Sequence, residues 1–268
     1  MLGGRKTLRL DELILKKGFA RSRSQAADLI KLGRVFVNGS PCTKPGKFVE
    51  ENADILISQE RFYVSRGGEK LESAWKAFNI DFSGKTVCDI GASTGGFTHF
   101  ALLRGAAKVF AVDVGENQLH ESLRADPRVV AIENFNARYL TEEVLGEKVD
   151  IVLCDVSFIS LKLILPAIDR ILKPEGEALV LVKPQFEVGK SVKQSESAHI
   201  ELLLEIARCA EMNHLHPAGL AECTVRGGKG QIEYFLHLKR KDTNKLDVET
   251  VSKIVEASWT RSRGRGKV

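Results

Sequence analysis

One glycine-rich stretch constrains the fold of this chain more than any other part of its sequence. It reads VCDIGASTGGF over residues 87–97. A β-branched run ends in an acid, a turn follows, and the apolar spacing of a helix begins at Phe97. Glycines let such a turn bring backbone N–H groups close to a ligand, and the dipole of the following helix favours negative charge there. The stretch therefore predicts a strand, a ligand-binding turn and a helix.

A second strand indicates what kind of ligand this turn binds. Residues 108–113 form a short, mostly apolar run that ends in Asp113, 22 residues after Gly91. An acid at that strand tip is placed to accept both ribose hydroxyls of an adenosine cofactor. Gly91, Gly96 and Asp113 thus predict a nucleoside pocket in a doubly wound sheet.

Three interpretations of the turn stay open at this point. A dinucleotide site favours G-x-G-x-x-G, and Ser93 replaces its middle glycine here. A glycine-rich turn can also be purely structural. The spacing D-x-G-x-x-x-G-G over residues 89–96 resembles the S-adenosylmethionine loop of class I methyltransferases, and we favour this interpretation. The cofactor contacts that it predicts come from Asp89, Gly91, Ala92, Ser93, Thr94, Gly95, Gly96, Asp113, Asn136 and Asp155.

Strand and helix patterns alternate through most of the chain beyond residue 70. This alternation predicts a mostly parallel sheet covered on both faces, with an antiparallel last pair. We therefore expect an α/β, Rossmann-like class I methyltransferase fold with seven strands over residues 70–240. A C-terminal helix at 247–258 and a mobile basic tail should follow within residues 241–268. The strands are expected at 87–90, 108–113, 129–132, 149–154, 178–182, 218–225 and 232–238, and the main helices at 117–125, 161–172 and 200–212.

The positive charge of the chain is concentrated at its N-terminus. Residues 1–66 contain 13 Lys and Arg against 7 Asp and Glu, whereas the other residues contain 27 and 28. A basic module joined to a nearly neutral body predicts a polyanionic partner, although such charges can also form a simple solvated face. The expected RNA contacts are Arg5, Lys6, Arg9, Arg21, Arg23, Lys31, Arg34 and Arg66.

The order of elements in this module supports an RNA partner. The predicted elements are helices at 7–19 and 24–33, strands at 35–37 and 55–57, and a tight turn at Asn38-Gly39. The pattern of Arg9-Leu10-Asp11, residues 21–26 and residues 33–39 resembles the S4 RNA-binding domain. We expect this small α+β domain to span residues 1–61 and an interdomain linker to span residues 62–69.

Cysteine usage and hydropathy narrow the function class further. The five cysteines are scattered without a C-x-x-C pair, which predicts free thiols in a reducing compartment and no metal site. No apolar run approaches the roughly 18 residues of a membrane helix, and the polar N-terminus differs from a signal peptide. We therefore expect a cytoplasmic protein without a metal or a membrane span.

Three side chains should converge at the carboxyl ends of the strands, where open α/β sheets bind ligands. They are Asp113, Asp155 and Lys183. Asp155 precedes Val-Ser-Phe rather than the Pro-Pro-aromatic motif of amino-group methyltransferases, and Cys154 lacks the proline of cytosine-C5 enzymes. These absences favour a hydroxyl as the methyl acceptor. A lysine held near other cations, or out of water, could act as the base for that hydroxyl.

Five motifs together resemble the TlyA family, whose members join an S4 domain to an FtsJ-like ribosomal RNA 2′-O-methyltransferase and are often labelled haemolysins. The motifs lie at 65–71, 89–97, 155–160, 182–187 and 229–233. The resemblance implies a catalytic tetrad of Lys70, Asp155, Lys183 and Glu233. It also implies S-adenosylmethionine as cofactor and a cytidine ribose of ribosomal RNA, or of a ribosomal subunit, as substrate. Gln231 stands where such proteins commonly carry Asn, and the number of copies in the assembly stays open.

Two other functions are open on the sequence alone. A membrane-active haemolysin is suggested by the family label, but the chain shows neither a membrane span nor a signal peptide. A catalytically silent RNA-binding module would keep the fold without the chemistry. The presence of all four tetrad residues argues against that second alternative.

Removal of residues 1–62 tests the predicted RNA surface. We expect weaker RNA binding and a flatter salt dependence, because a protein that binds fewer phosphates releases fewer counterions. The slope of log affinity against log salt should become shallower by about 0.7–0.9 for each phosphate that the truncated protein no longer binds. Fluorescence anisotropy with labelled RNA over a salt series measures this slope. An unchanged slope would show that the RNA surface lies elsewhere.

Overall fold

A computed structural model of the chain describes residues 6–20, 22–31, 33–58, 63–187, 195–227, 230–241 and 246–265. The chain forms two compact units, Met1–Ser65 and Arg66–Val268. The boundary between them falls inside the segment predicted as a linker, residues 62–69.

The N-terminal unit combines two helices and five short strands within its described residues. In chain order these are β1 (Thr7–Arg9), α1 (Leu10–Lys16), α2 (Arg23–Lys31), β2 (Val35–Val37), β3 (Ser40–Cys42), β4 (Phe48–Glu50) and β5 (Ile55–Ile57). Strand β1 pairs with β4, and β2 lies between β3 and β5, with all pairs antiparallel. One apolar core joins the elements and includes Leu10, Leu13, Ile14, Ala26 and Ile30.

The sequence predicted part of this unit correctly. The strands at Val35–Val37 and Ile55–Ile57 are confirmed, as is the turn between Asn38 and Gly39, whose φ angles are 51° and 76°. The helix predicted over residues 7–19 is wrong at its start, because Thr7–Arg9 pairs with β4 instead of turning. That pairing links residues about forty positions apart, so the local apolar spacing cannot reveal it.

The C-terminal unit is built on a single seven-stranded sheet. Its elements are α3 (Arg66–Phe78), β6 (Thr86–Ile90), α4 (Gly96–Leu103), β7 (Lys108–Val112), α5 (Glu121–Arg124), β8 (Val129–Ile132), α6 (Glu142–Leu145), β9 (Val149–Cys154), α7 (Leu165–Ile171), β10 (Leu172–Val182), α8 (Pro184–Glu187), α9 (Glu196–Glu211), β11 (His216–Glu222), β12 (Tyr234–Lys239) and α10 (Val248–Arg265). The strand order is β11-β12-β10-β9-β6-β7-β8. Among these described strands, β12 runs in the opposite direction to the other six, which confirms the predicted mostly parallel sheet with an antiparallel last pair.

The central strands β6, β7 and β9 bury nearly all of their side chains, and β10 buries those of its last five residues. This burial is expected for parallel strands covered on both faces, and it explains their continuous apolar sequences. Because the sheet is parallel at its centre, the carboxyl ends of these strands share one edge. That edge carries the side chains considered below.

Several helix boundaries differ from the predictions. Helices α5 and α9, predicted over 117–125 and 200–212, span Glu121–Arg124 and Glu196–Glu211. Helix α3 begins at Arg66, within the segment predicted as a linker over 62–69, so residues 66–69 are helical. The helix predicted over 161–172 is divided into a 3₁₀ turn, whose N-terminus is capped by the Ser160 side chain, and α7. Helix α10 continues to Arg265, which corrects the prediction of a mobile tail.

The C-terminal end of α10 carries two ion pairs that are visible only in three dimensions. Arg261 pairs with Glu222, and Arg263 pairs with Glu196 at the start of α9. Both partners are far away in sequence. A run of arginine and glycine therefore looks flexible when it is considered without them.

The turn after β6 is fixed by a close approach between two backbones. The Gly91 N–H donates to the carbonyl of Val112 at 2.8 Å, and the Asp155 N–H donates to the carbonyl of Ile90 at 3.0 Å. A Cβ atom on Gly91 would lie 2.7 Å from the Asp155 carbonyl oxygen, and Gly91 has a φ of 81°. Only glycine satisfies both conditions.

Asp89 holds the start of the following helix. Its side chain is fully buried, and its Oδ2 accepts hydrogen bonds from the Thr98 N–H at 2.9 Å and the Thr98 hydroxyl at 2.7 Å. Burial raises the pKa of Asp89 to about 7, although the two bonds from Thr98 act in the opposite direction. Asp89 therefore stabilises the junction between the turn and α4 from its buried side.

Replacing Gly91 with alanine is expected to destabilise the C-terminal unit by about 2–4 kcal/mol, because the new methyl group meets a carbonyl in a left-handed backbone. Thermal unfolding measures this decrease in stability. Gly146→Ala is the matched control: its φ is 80°, but no atom lies within 4 Å of the added Cβ. Equal destabilisation at both positions would show that the close approach to Asp155 contributes nothing.

Asp89→Asn tests the buried carboxyl through pH. The pKa of Asp89 is raised from 3.8 to about 7 in the folded protein, so the native state holds its proton more tightly than the unfolded chain does. The free energy of unfolding should therefore fall as pH rises from about 4 to about 7, by at most about 1.4 kcal/mol per pH unit. The asparagine variant should lack this slope. Urea unfolding measures the free energy of unfolding of both proteins over this range. If the two values change with pH in parallel, the raised pKa does not belong to Asp89.

Candidate active site

The acid at the end of β7 is held against the glycine-rich turn. The Ser93 N–H donates to Asp113 Oδ2 at 2.8 Å, and the Gly115 N–H donates to Asp113 Oδ1 at 2.7 Å. Ser93 itself has a φ of 48°, which aims its N–H at the acid. The predicted meeting of the turn with a strand-end carboxylate is thus present in the structure.

A cavity of about 520 Å³ opens at the carboxyl ends of β6, β7 and β9. Five of the residues predicted to bind a cofactor line it, namely Gly91, Ser93, Asp113, Asn136 and Asp155. The other five are absent from its lining, namely Asp89, Ala92, Thr94, Gly95 and Gly96. The buried side chain of Asp89 instead binds Thr98 at the start of α4. Its burial disfavours the predicted direct contact with a cofactor.

Most of the remaining lining is apolar or aromatic. The sequence patterns assign none of these residues a binding role, although Phe158 and Ile159 lie within the 155–160 motif. They include Val114, Phe135, Phe158, Ile159 and Ile164, and the polar Gln118 also lines the cavity. An apolar cavity with a few polar groups at one edge is the usual form of a small-molecule site.

The four predicted tetrad residues form two ion pairs. Lys183 Nζ lies 2.6 Å from Asp155 Oδ1, and Lys70 Nζ lies 2.7 Å from Glu233 Oε2. Lys70, Lys183 and Glu233 are buried, and Asp155 is half-buried. Lys183 also donates to Ser157 Oγ at 2.8 Å.

The two pairs act on each other through Asp155. Burial alone would lower the pKa of Lys70, but the charge of Asp155 and the hydrogen bond and charge of Glu233 outweigh it, so the pKa of Lys70 is raised. Lys70 is therefore a fixed cation. The four side chains alternate in charge, in the order Lys183, Asp155, Lys70 and Glu233.

The loop after β9 presents an aromatic side chain at the cavity. Phe158 is 90% exposed and has a φ of 64°, an unusual conformation for a bulky residue. Its ring lies 4.8 Å from that of Phe186 between centroids. Glu187 holds the same loop by accepting hydrogen bonds from the Ser160 hydroxyl at 2.6 Å and the Leu161 N–H at 2.7 Å.

The predicted RNA contacts of the N-terminal unit are partly neutralised by local acids. Arg9 and Arg23 both pair with Asp11, while Lys6 pairs with Glu51. Lys16 also pairs with Glu51, an acid that the local sequence did not link to the cations. Arg5, Arg21 and the side chain of Lys31 lie outside the described residues.

Two other predicted cations differ in exposure. Arg34 is half-buried, whereas Arg66, which lies at the start of α3 in the C-terminal unit, is exposed. The sequence did not single out Lys44, Lys47 and Phe48, which form an exposed stretch entering β4. This stretch adds two cations and an aromatic ring to the N-terminal unit.

The described residues contain no group of three or more His, Cys, Asp or Glu side chains that could hold a metal ion. No helix among the same residues is long and apolar enough to span a membrane. All five cysteines are free thiols.

Comparison with known proteins identifies both units. The FtsJ-like methyltransferase model matches residues 63–240, and the S4 domain model matches residues 8–55. The 16S/23S rRNA (cytidine-2′-O)-methyltransferase TlyA of Mycobacterium tuberculosis is 43% identical over 249 residues, which cover 90% of this chain and 93% of that protein.

Two further matches each cover most of this chain and nearly all of the matched protein. Hemolysin A of Brachyspira hyodysenteriae is 40% identical over 86% of this chain and 99% of its own length. A solved structure from Streptococcus thermophilus, described as a candidate hemolysin, is 35% identical with a TM-score of 0.77 and covers 99% of this chain and 100% of that one. Because these matches extend across the S4 and FtsJ-like regions together, the chain belongs to the TlyA family.

Proposed function

We propose that this protein transfers a methyl group from S-adenosylmethionine to the 2′-oxygen of a cytidine in ribosomal RNA. The observation that carries the proposal is the pair of Lys183 and Asp155 at the edge of the nucleoside-type cavity, with the Lys70–Glu233 pair acting on it. A base beside such a cavity suits a hydroxyl acceptor. The Mycobacterium tuberculosis relative is named for this reaction on 16S and 23S rRNA.

The cavity residues fit the proposed cofactor. Asp113 keeps a free lone pair on each carboxylate oxygen after accepting its two backbone bonds, and these can bind ribose hydroxyls. The neighbouring Val114 and Phe135 offer apolar surface for a purine. When bound, S-adenosylmethionine supplies an electrophilic methyl group on a positively charged sulfur.

Lys183 is the proposed base for the ribose hydroxyl. Ser157 Oγ accepts a hydrogen bond from Lys183 Nζ at 2.8 Å, and Asp155 Oδ1 lies 2.6 Å from the same nitrogen as its ion-pair partner. In its neutral form the amine has a lone pair that can take the hydroxyl proton as the oxygen attacks. Holding the amine in one orientation also removes part of the entropic cost of the reaction.

Asp155 and Lys70 hold that orientation electrostatically. Asp155 contacts Lys183 on one side and is influenced by the Lys70 cation on the other. Glu233 in turn balances the charge of Lys70 at 2.7 Å. In this arrangement Lys70 and Glu233 act by fixing Asp155, and Lys183 moves the proton.

Phe158 and Phe186 supply a further element of RNA recognition. An exposed phenylalanine at the cavity is a surface on which an unstacked base can lie, which is how proteins commonly bind single-stranded RNA. In the N-terminal unit, Lys44, Lys47 and Phe48 join the predicted cations as candidates for RNA contact. A ribosomal substrate would place the reaction in the cytoplasm.

Methyl transfer to purified ribosomal subunits and intact ribosomes tests the proposal directly. Tritiated S-adenosylmethionine supplies the label, and mapping the labelled nucleotide identifies the acceptor atom. We expect label on a cytidine 2′-oxygen. No label on any particle, with cofactor binding confirmed by calorimetry, would favour the silent RNA-binding module instead.

The hemolysin names of two relatives describe those proteins and suggest a separate assay. Leakage of dye from liposomes at physiological salt reports membrane activity without any RNA. We expect none, since the proposed chemistry lies inside a buried, paired cluster. Equal leakage by wild type and by a cofactor-site variant would contradict the enzymatic proposal as the main function.

Lys183→Ala is expected to lower methyl transfer by about 10²–10⁴-fold, the range that a general base commonly contributes. Binding of the cofactor should stay nearly unchanged, because Lys183 is not among the residues that line the cavity. Lys253→Ala is the control, as this exposed lysine pairs only with Glu249 on α10 among the described contacts. An equal decrease of transfer and cofactor binding in Lys183→Ala would show that Lys183 is structural.

A further inference from the structure

We propose that Gln185 is a positioning residue that holds the Glu233 carboxylate in the orientation in which Glu233 pairs with Lys70. The inference rests on the proposed function, because the alignment of the tetrad matters only if the tetrad catalyses methyl transfer. It concerns a residue that none of the sequence patterns marked for a role.

The first observation is how the Glu233 carboxylate is bound. Only 2% of its side-chain surface is exposed. Its Oε2 accepts from Lys70 Nζ at 2.7 Å, and its Oε1 accepts from Gln185 Nε2 at 3.0 Å. A buried carboxylate is costly unless both oxygens find donors, so the amide of Gln185 completes the set.

The direction of the Gln185 amide follows from chemistry. An ionised carboxylate only accepts hydrogen bonds, so the amide must present its NH₂ group to Glu233. Its own carbonyl oxygen is then buried, and no described residue gives that oxygen a hydrogen bond. Leaving a buried acceptor without a partner costs stability. The amide is therefore arranged for Glu233 rather than for its own hydrogen bonding.

The backbone around Glu233 leaves the carboxylate little other support. The Cys223 N–H donates to the Glu233 carbonyl at 2.9 Å, which fixes the main chain. The side chain packs against Gly227, where a Cβ atom would lie 2.6 Å from Glu233 Oε1. Neither contact is a described hydrogen bond to the carboxylate. Among the described residues, the donors that orient the carboxylate are Lys70 and Gln185.

The position of Gln185 in the chain links the two ion pairs. It lies in α8, two residues after Lys183, and its side chain reaches Glu233 on the segment before β12. A shift of α8 would therefore move Lys183 and the donor to Glu233 together.

The charged and titratable groups around this contact define what a substitution does. Glu233 faces Lys70 and the Cys223 thiol, and Lys70 also faces Asp155, which pairs with Lys183. Burial raises the pKa of Cys223 to about 11, so this thiol stays neutral in the range tested. A carboxylate introduced at position 185 would meet the Glu233 carboxylate directly.

Gln185→Glu and Gln185→Met test the proposal by their dependence on pH. A protonated Glu at 185 donates to Glu233 as the amide does, whereas an ionised one repels it. Single-turnover methyl transfer by Gln185→Glu, relative to wild type, should therefore fall about tenfold from about pH 6 to about pH 9. Gln185→Met lacks a donor at every pH and should give a low, constant ratio. A constant ratio for Gln185→Glu would overturn the proposal.

A second measurement does not depend on methyl transfer. The melting temperature of Gln185→Glu should fall below that of wild type by about 3 °C or more as pH rises over the same range, because the ionised pair destabilises only the native state. The double variant with Glu233→Gln as well restores one donor and one acceptor. Its melting temperature should lose this extra pH dependence.

These two measurements separate the possible failures. If wild type methylates no RNA, the proposed function fails, and the melting series still decides whether Gln185 contacts Glu233. If methylation occurs but neither the rate ratio nor the melting difference changes with pH, Gln185 has no positioning role. If the double variant keeps the pH dependence, the repulsion comes from another group and the proposal is wrong.

Discussion

The close approach of Gly91 to the backbone of Asp155 is the constraint on which the candidate site depends. It joins the end of β6 to the end of β9 with no room for a side chain between them. The same approach of the two backbones places the glycine-rich turn next to Asp155, the acid that pairs with Lys183. The glycine therefore does more than shape the turn. It sets the distance between the cavity and the groups proposed to act on the ribose hydroxyl, because both strand ends are fixed by backbone hydrogen bonds.

The second principle of the site is the alternation of charge. Lys183, Asp155, Lys70 and Glu233 form a short series in which each cation has an acid beside it. Isolated charges at this depth would be strongly destabilising, whereas paired and hydrogen-bonded ones can be retained. The pairing explains how two lysines can be buried together. Gln185 adds an uncharged donor to this series, because it binds the Glu233 oxygen that does not accept from Lys70.

Local patterns predicted much of the fold. The strand, turn and helix over residues 87–97 and the seven-stranded sheet are confirmed, because burial on both faces gives parallel strands continuous apolar sequences. The errors lie where a distant partner decides the outcome. Thr7–Arg9 is a strand because β4 pairs with it, and α10 reaches Arg265, with Arg261 and Arg263 near its end paired to Glu222 and Glu196. No periodicity within the segment itself records such partners.

For the site, the sequence by itself determined the residue types and their places at strand ends, and resemblance to the TlyA family grouped four of them. Only the tertiary structure decided which side chains touch. Lys70 and Glu233 are 163 positions apart in sequence, and the 2.7 Å contact between them exists because α3 and the segment before β12 meet. In the structure, Asp89 binds the start of α4 instead of lining the cavity, and Gln185 and Phe158 lie at the site. Sequence patterns carry short-range order, whereas hydrogen bonds and ion pairs depend on distances that folding alone creates.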